Sequence, residues 1–566
     1  MTRNRNRIRI GDLLIEHGAI TEDQLKAALS VQKQTGQKLG RTLIESGMVD
    51  EIRLLTLLSE QLSIPFIDLK IFPIQIEVAR RIPETIARRH RAIPMGTSKD
   101  GHLLIGMADP TNLPAYDELC RLIKAPIDLA VVRESELLQV IDNVYQGNAD
   151  IGNLASEVEE DVLTVSHELI EELEEKSDAP IMRLIGTLFE SAVVARASDI
   201  HIEPDEKVLR IRRRIDGVLQ EQIMDEKAIA PALVSRLKLM AGLDISERRL
   251  PQDGRFKFEL KERSIDVRFS TMPTQHGESV VMRLLDHSDG VKGLDQIGLN
   301  KAAMEKLQRA IHRPHGLLLV TGPTGSGKTT TLYAALSDLN HPERKIITVE
   351  DPVEYRLPRV NQVQVNPKIG LDFARVLRTT LRQDPDIILI GEIRDSETAE
   401  IALRASITGH LVMSTLHTND AISTAIRLLD MGVDGYLVAS AVHAIVAQRL
   451  VRRICPECST EDTLDKTDHA WLETFHENEH PPGPFHKGAG CNSCGKTGYR
   501  GRIAVYEILE FDECLAEALR RGDHEGFKTA ALAQSGFQPL LSSALQLAEQ
   551  GVTTLAEVKR VSGWID

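Results

Sequence analysis

The chain has 566 residues, with 83 acidic against 68 basic side chains for a net charge of −15, and is 42% apolar but only 4% aromatic. That length predicts roughly three to five domains of ~150 residues each, with aliphatic cores. The acidic balance argues against a chain built as a whole to bind a nucleic acid polymer, and no uncharged apolar run approaches the ~18 residues of a membrane span.

Arg3, Arg5, Arg7 and Arg9 resemble the head of an export signal, but Asp12, Glu16 and His17 follow where an apolar stretch is required. A cytoplasmic chain is therefore expected. An internal repeat begins at Arg9. Arg9-Ile10-Gly11, Leu25, Leu29 and Gln32 return in the same order and at one constant offset as Lys38-Leu39-Gly40, Leu54, Leu58 and Gln61. Leucines at i and i+4 read as amphipathic helices, so a mainly helical unit is expected at 1–65, with an α+β subdomain at 66–148. Helix packing accounts for the leucines, but not for a glycine beside a cation or for the glutamine. A duplicated cation–glycine–glutamine set suits a dinucleotide with pseudo-twofold symmetry. The arginine can stack on and bond a guanine, the glycine admits close backbone approach, and the glutamine amide reads a base edge. The competing reading is a helical docking domain for a membrane partner, in which the repeat serves only to pack.

Residues 157–178 hold ten acids among twenty-two positions and no long helix-period apolar stripe. This reads as a solvated acidic linker at 149–178. An α+β middle domain follows at 179–286, with strands expected at 208–215, 264–269 and 279–285. Residues 287–294 read as a short hinge before a last domain at 295–566.

That last domain carries the chemistry. Leu317–Val320 reads as a short buried strand and Thr329 onward as a helix, and between them lies Gly322-Pro323-Thr324-Gly325-Ser326-Gly327-Lys328-Thr329. Strand, glycine-rich loop and helix in that order form a phosphate cradle. Backbone N–H groups wrap the anion, Lys328 reaches the β/γ-phosphates, Thr329 can ligate Mg²⁺, and Thr330 continues the binding set. The chain therefore binds ATP or GTP. Ile346–Glu354 reads as a second buried strand ending in acids, and Asp386–Glu392 as a third. Ligands of an open α/β sheet bind outside the carboxyl ends of its strands, so Glu350 can orient the attacking water and Glu392 can serve the metal side. Each could equally be a helix-capping or solvated carboxylate. Ala405–Asp420 reads as a further apolar strand carrying His410 and His417, either of which could be an ordinary core histidine.

Cys455-Pro456-Glu457-Cys458 and Cys491-Asn492-Ser493-Cys494 are two CxxC turns, with the loop 459–490 between them. Two such turns complete a closed tetrahedral zinc site of a structural kind. Two disulfides are the alternative, disfavoured in a reducing compartment. Cys120 and Cys514 are expected as buried small apolar groups.

Four ordered motifs now carry a resemblance across nearly the whole chain. It resembles the ATPases of type II secretion and type IV pilus assembly. In that family these segments are the Walker A loop (322–329), the Asp box around Glu350-Asp351, the Walker B strand ending at Gly391-Glu392, and the His box from His410 to His417. The resemblance implies an α/β, RecA-like ATPase domain with a zinc-stapled subdomain at 451–505, preceded by the middle and N-terminal domains. It implies a homohexamer that hydrolyses ATP with Mg²⁺ and works on an inner-membrane platform protein and a docking protein. It also implies arginine fingers, Arg268 and Arg283 from the middle domain and Arg378, Arg382 and Arg502 from the ATPase domain. For each, a plain surface ion pair is the other reading. Secretion and pilus-extension members carry four such cysteines, which retraction members generally lack. The two N-terminal repeats, from Arg9 and from Lys38, and the short spacer between them resemble the cyclic di-GMP-binding domain of the mannose-sensitive haemagglutinin pilus ATPase and of some secretion ATPases. Arg7 and Asp109 take positions that could clamp the ligand there. Lys38 stands where an arginine is usual, and loses the planar fork. The haemagglutinin-pilus branch is the expected match and a secretion ATPase the second. A DNA-translocating ring, which would need a basic pore, and a non-hydrolysing nucleotide sensor are the readings from other classes.

Overall fold

The structure, a computed structural model, describes residues 10–35, 39–98, 101–145, 178–260, 263–286, 290–474 and 484–563. Arg7, Arg9 and Lys38 lie outside those residues, as do the acidic linker up to 177 and residues 287–289 of the hinge.

The sequence repeat becomes geometry at the N-terminus. Helices Ile10–Glu16 and Glu22–Thr35 recur as Leu39–Glu45 and Glu51–Leu62. They pack crosswise, the first on the fourth and the second on the third. Their core keeps the repeat, with Leu14 and Leu43, Ile20 and Val49, and Ala28 and Leu57 all separated by the offset that relates Gly11 to Gly40. Next comes a three-stranded sheet of β1 (Ala92–Thr97), β2 (Leu103–Met107) and β3 (Ile127–Val131), antiparallel then parallel. Helices Leu113–Ile123 and Glu134–Tyr145 add their apolar sides to its core.

A six-stranded antiparallel sheet runs β6-β5-β4-β9-β8-β7. It comprises β4 (Ala197–Pro204), β5 (Leu209–Ile215), β6 (Val218–Met224), β7 (Gln252–Leu260), β8 (Arg263–Thr274) and β9 (Gly277–Asp286). Alternation decides its two faces. Ile200, Ile202, Leu209, Ile211, Ile265, Val267, Val280 and Met282 point inward with helices Asp178–Val194 and Ala230–Met240. Asp199, Arg214, Arg268 and Arg283 occupy the other face. The three strands expected from alternation appear as β5, β8 and β9, with β8 running on past its expected end to Thr274; β4, β6 and β7 lie outside that expectation.

The largest sheet has seven strands in the order β12-β11-β13-β14-β10-β15-β18. They are β10 (Gly316–Thr321), β11 (Ile346–Glu350), β12 (Val360–Gln364), β13 (Ile387–Ile390), β14 (Leu411–Leu416), β15 (Val442–Ile454) and β18 (Tyr499–Glu510). All neighbours are parallel except β15 and β18. Strands β10, β11, β13 and β14 are buried along their whole length. Burial on both faces is why they read as unbroken aliphatic runs. The expected histidine strand is shorter than its apolar run, because Ala405–Ile407 closes helix Ser396–Ile407. Strand β10 stops at Thr321 opposite Ala447, but β15 and β18 continue as a ribbon to Ile454 and Tyr499. Cys455 follows at the ribbon's tip, beside the small pair β16 (Ser459–Glu461) and β17 (His486–Gly488).

The two lone cysteines depart from expectation, since Cys514 is exposed and Cys120 only partly covered. Helical phase explains it. Leu515, Ala516 and Leu519 form the buried face of Glu513–Arg520, as Ala115 and Leu119 do for Leu113–Ile123. No helix among the described residues is long and apolar enough to cross a membrane.

Candidate functional site

The glycine-rich loop joins β10 to helix Lys328–Leu339 at the carboxyl edge of the large sheet. Gly322 and Gly327 sit at φ 144° and 90°, in the region that disfavours side chains. Space forbids them too. A Cβ on Gly322 would collide with the Gln448 carbonyl, and one on Gly327 would come within 2.8 Å of Gln448 Nε2. Lys328 is buried, and its Nζ donates to the carbonyls of Gly322 at 2.7 Å and Pro323 at 3.1 Å. Burial pushes its pKa down to about 8, against a smaller pull upward from Glu392. Thr329 and Thr330, at the helix start, are exposed and line a cavity of about 910 Å³.

That cavity lies between the two large sheets. Its other walls include Ser198, Asp199, Arg214, Asp216 and Arg283 from the six-stranded sheet and Glu350, Glu392 and His417 from the strand ends. Glu350 ends β11 fully enclosed, at 3% exposure. It accepts from the Tyr333 hydroxyl, from Thr348 Oγ1 at 2.5 Å and from Gln362 Nε2 at 3.2 Å. Burial, then the Glu350 charge and hydrogen bond, push the Tyr333 phenol up, so it remains a donor. A carboxylate offers about four acceptor directions, so these three donors leave one open. Glu392 pairs with Arg394 at 2.5 Å and lies 3.5 Å from His417 Nε2.

Register lines up the arginines of the middle sheet. Asp199 faces Arg214 on one side and Arg283 on the other, and Arg283 faces Arg268. The row therefore reads Arg214, Asp199, Arg283, Arg268 across four strands. Arg283 bonds Asp199 at 3.1 Å, and Arg214 lies 3.6 Å from the same carboxylate. Arg268 reaches out of the row to Glu354 at 2.5 Å, just past β11. Like charges directly opposite in a sheet are unfavourable, so this row fits a surface that receives an anion. Arg502 on β18 lies 3.6 Å from Asp216 and also lines the cavity.

Arg268 does not itself line the cavity, although its partner Glu354 does, and three further expected residues lie elsewhere. His410 precedes β14 and contacts the Ala405 carbonyl at 2.9 Å. The length of β14, at ~3.3 Å per residue, separates it by ~20 Å from the carboxyl edge that holds His417. Arg378 pairs with Glu397, and Arg382 donates to the Arg378 carbonyl at 2.9 Å. Neither arginine lines this cavity. Sequence reading missed Arg449, Arg452 and Arg560, which do. Arg449 and Arg452 stand on the β15 ribbon, and Arg560 on the last helix, Leu555–Ser562. Arg452 is fixed by Glu557 at 2.9 Å and lies 3.9 Å over the Tyr499 ring. Arg449 bonds Asn419, just past His417, at 2.8 Å. The ribbon has no motif signature, although its strand pattern ending in Gln448-Arg449-Leu450-Val451-Arg452 was a signal.

The four cysteines converge. Sγ–Sγ distances are 3.8 Å for Cys455–Cys491, 3.9 Å for Cys458–Cys494 and 3.7 Å for Cys491–Cys494, with every pair within 4.8 Å. A tetrahedron of Zn–S bonds of ~2.3 Å has edges of ~3.8 Å, whereas disulfide sulfurs sit ~2.05 Å apart. Backbone N–H groups of Cys491 and Gly498 donate to Cys494 Sγ at 3.1 and 3.3 Å, as anionic sulfur requires. The donor set fits zinc.

In the repeat, packing bears on the first glycine more than on the second, whose contact is an ordinary one. A Cβ on Gly11 would meet Leu25 Cδ1 at 2.7 Å, and one on Gly40 would meet Leu54 Cδ2 at 3.4 Å. Leu29 is exposed, and Leu58, Gln32 and Gln61 are half-buried. Ile10 and Leu39 open the two equivalent helices. Asp109 follows β2 and accepts from the Thr111 hydroxyl at 2.5 Å and its amide at 3.1 Å.

Comparison with known proteins identifies the family. The family described as Type II/IV secretion system protein matches residues 174–560, and the MshEN domain matches residues 62–150. The chain is 41% identical over 558 residues to the type IV pilus assembly ATPase PilB of Myxococcus xanthus, covering 97% of this chain and 98% of that one. It is 40% identical over 502 residues to the type II secretion system ATPase E of Vibrio cholerae, covering 88% and 99%. The solved structure of the ATPase DotB from Legionella pneumophila covers 68% of this chain and 96% of its own at 21% identity, with a TM-score of 0.50. That last likeness concerns the fold alone.

Proposed function

The chain belongs to the type II/IV secretion system ATPase family and carries an MshEN domain, and from that premise we propose that it is a hexameric motor for type IV pilus assembly. In this reading it sits at the cytoplasmic side of the inner membrane, on a platform protein that its cycle drives. The observation that carries the reading is the cavity closed by two sheets. The phosphate loop faces Arg214, Asp199 and Arg283 across it, with Arg268 next in the row and held by Glu354 at the cavity wall, so hydrolysis depends on how the two sheets are set.

The roles follow from placement. The loop holds the triphosphate, Lys328 exchanges its two carbonyl bonds for β/γ-phosphate oxygens, and Thr329 is placed to ligate Mg²⁺, which would neutralise charge on the transferred phosphoryl group. Glu350 turns its open acceptor direction to the attacking water. Its three donors hold it in place, which is how a positioned base gains rate. Glu392 links Lys328 to His417 and Arg394. Arg283 and Arg268 supply positive charge to the transition state. Arg378, Arg382 and His410, outside the lining of this cavity, suit the cavity of a neighbouring copy in a ring. The four cysteines hold a structural zinc.

Replacing Glu392 by glutamine tests the motor reading. ATP turnover is expected to fall roughly 10²-fold, the usual cost of one charged member of such a site, while ATP binding persists. A wild-type chain that binds ATP without turning it over would instead be a sensor.

Both relatives fit almost equally, so a type II secretion machine is the second reading, and the genes beside this one decide between them. Cyclic di-GMP is the proposed regulator at the N-terminal repeat. The repeat of a half-buried amide at Gln32 and Gln61 supports it, since a glutamine amide can read a base edge. Calorimetric titration of the full chain should show saturable binding that Arg9→Ala abolishes. No heat at tens of micromolar would leave the repeat as a docking module.

A further inference from the structure

Each of the two cysteine turns commits a middle residue to the N-terminal α+β subdomain. Glu457, inside the first turn, pairs with Lys70. Asn492, inside the second, donates Nδ2 to the Leu69 carbonyl at 2.7 Å, and its backbone N–H faces the Lys70 carbonyl at 3.4 Å. Two turns well separated in sequence thus grip two successive residues of a third segment.

The gripped segment is itself fixed. Asp68 accepts from the Lys70 amide at 2.9 Å, and Glu136 accepts from the Leu69 amide at 3.2 Å. Arg133 ties these acids together, at 2.9 Å from each. Leu69 is fully buried in the subdomain core. A rigid turn on one side therefore meets a two-part jaw on the other. The two parts of the jaw hang on separate cysteine turns, and what sets their spacing is convergence of the four sulfurs. Resting on the zinc reading above, we propose that the filled tetracysteine site is the clamp that docks the N-terminal α+β subdomain onto the ATPase core, and that emptying it releases that subdomain. The surface formed by Glu457 and Asn492 takes one occupant, the 69–70 turn of this chain. A signal received at the N-terminus then has a defined mechanical entry into the ATPase core.

A zero-length carbodiimide crosslink between Lys70 and Glu457, read by mass spectrometry on the full chain, tests this directly. The exposed pair Lys26 and Asp23, 3.9 Å apart within one helix, serves as the internal reference. Stripping the metal, verified by zinc content, is expected to lower the Lys70–Glu457 product about tenfold with the reference unchanged, since metal binding sets the geometry of such a site. Asn492→Ala, with zinc retained, is expected to lower it by a smaller factor, and amide exchange at residues 69 and 70 should rise in parallel. A crosslink unchanged on stripping would overturn the clamp, and so would its absence in the zinc-loaded chain. A purified chain without zinc that still crosslinks would show that the zinc reading itself had failed, a result distinct from either.

Discussion

Lys328→Ala is expected to reduce ATP turnover by roughly 10³-fold, because it removes the one ammonium that the phosphate loop aims at the transferred group. The fold should survive. Of the two carbonyls that now accept from Nζ, those of Gly322 and Pro323, the second belongs to a residue that lines the cavity, and water can take the place of the ammonium there. The same lysine predicts a pH dependence. Burial lowers its pKa from 10.5 to about 8, and at about 1.4 kcal/mol per unit the enclosed charge costs about 3 kcal/mol in the empty site. Below pH 8 the ammonium is already present, and ATP binds without proton uptake. Above pH 8 the empty site is increasingly neutral, and a bound triphosphate must restore the charge by capturing a proton. ATP affinity should therefore fall as pH rises past 8, approaching about tenfold per unit. Fluorescent-nucleotide titrations between pH 7 and 9.5 check both points. A flat profile in the wild-type chain would contradict the protonation argument, and a flat profile is expected in Lys328→Ala.

Cys491→Ser carries the second large effect. Cys491 is fully buried, and three thiolates no longer close a tetrahedral site. Zinc content is expected to drop from about one per chain to near zero. The loss should be local, because β15 and β18 belong to a sheet with its own aliphatic core. Binding energies of such sites run to ~10 kcal/mol and are folding energy for the segment they staple. Hydrogen exchange should rise sharply at β16, β17 and the cysteine turns while β10 to β14 stay protected. Equal exposure of the whole large sheet would show instead that the metal underwrites the entire domain.

The two architectures in the chain were legible for different reasons. The large sheet announces itself because parallel strands buried on both faces must be aliphatic throughout, so Leu317–Val320 and Ile387–Ile390 are unmistakable next to a glycine loop. The N-terminal repeat was legible as a period, and Leu14 with Leu43 shows why the period is kept: equivalent leucines fill equivalent places in one core. Its glycines were harder. Only the structure places Leu25 and Leu54 against Gly11 and Gly40. The site was half legible. Gly322–Thr329, Glu350 and Glu392 occur as contiguous motifs, whereas the arginine row is assembled from β4, β5, β8 and β9, and strand pairing at such separation leaves no local trace. His410 shows a limit of another kind. Two histidines at either end of one strand look adjacent in sequence, but a strand is an extended rod and holds them ~20 Å apart.

Strand β15 touches the phosphate loop at Gln448 and ends at Ile454, with Cys455 next. The stretch from Gln448 to Cys455 forms a ruler. The strand keeps its register with β18 as far as Arg452 and shifts once before Ile454, so inserting or deleting one residue would displace the first cysteine from that fixed path and break the zinc site while leaving the nucleotide loop untouched. The excursion between the cysteine pairs is tied to no such register, since closing a longer stretch of chain between two fixed points costs little more. Changes of length in relatives should therefore gather between residues 459 and 485, and the interval from 448 to 455 should be the same in every chain that couples these two sites.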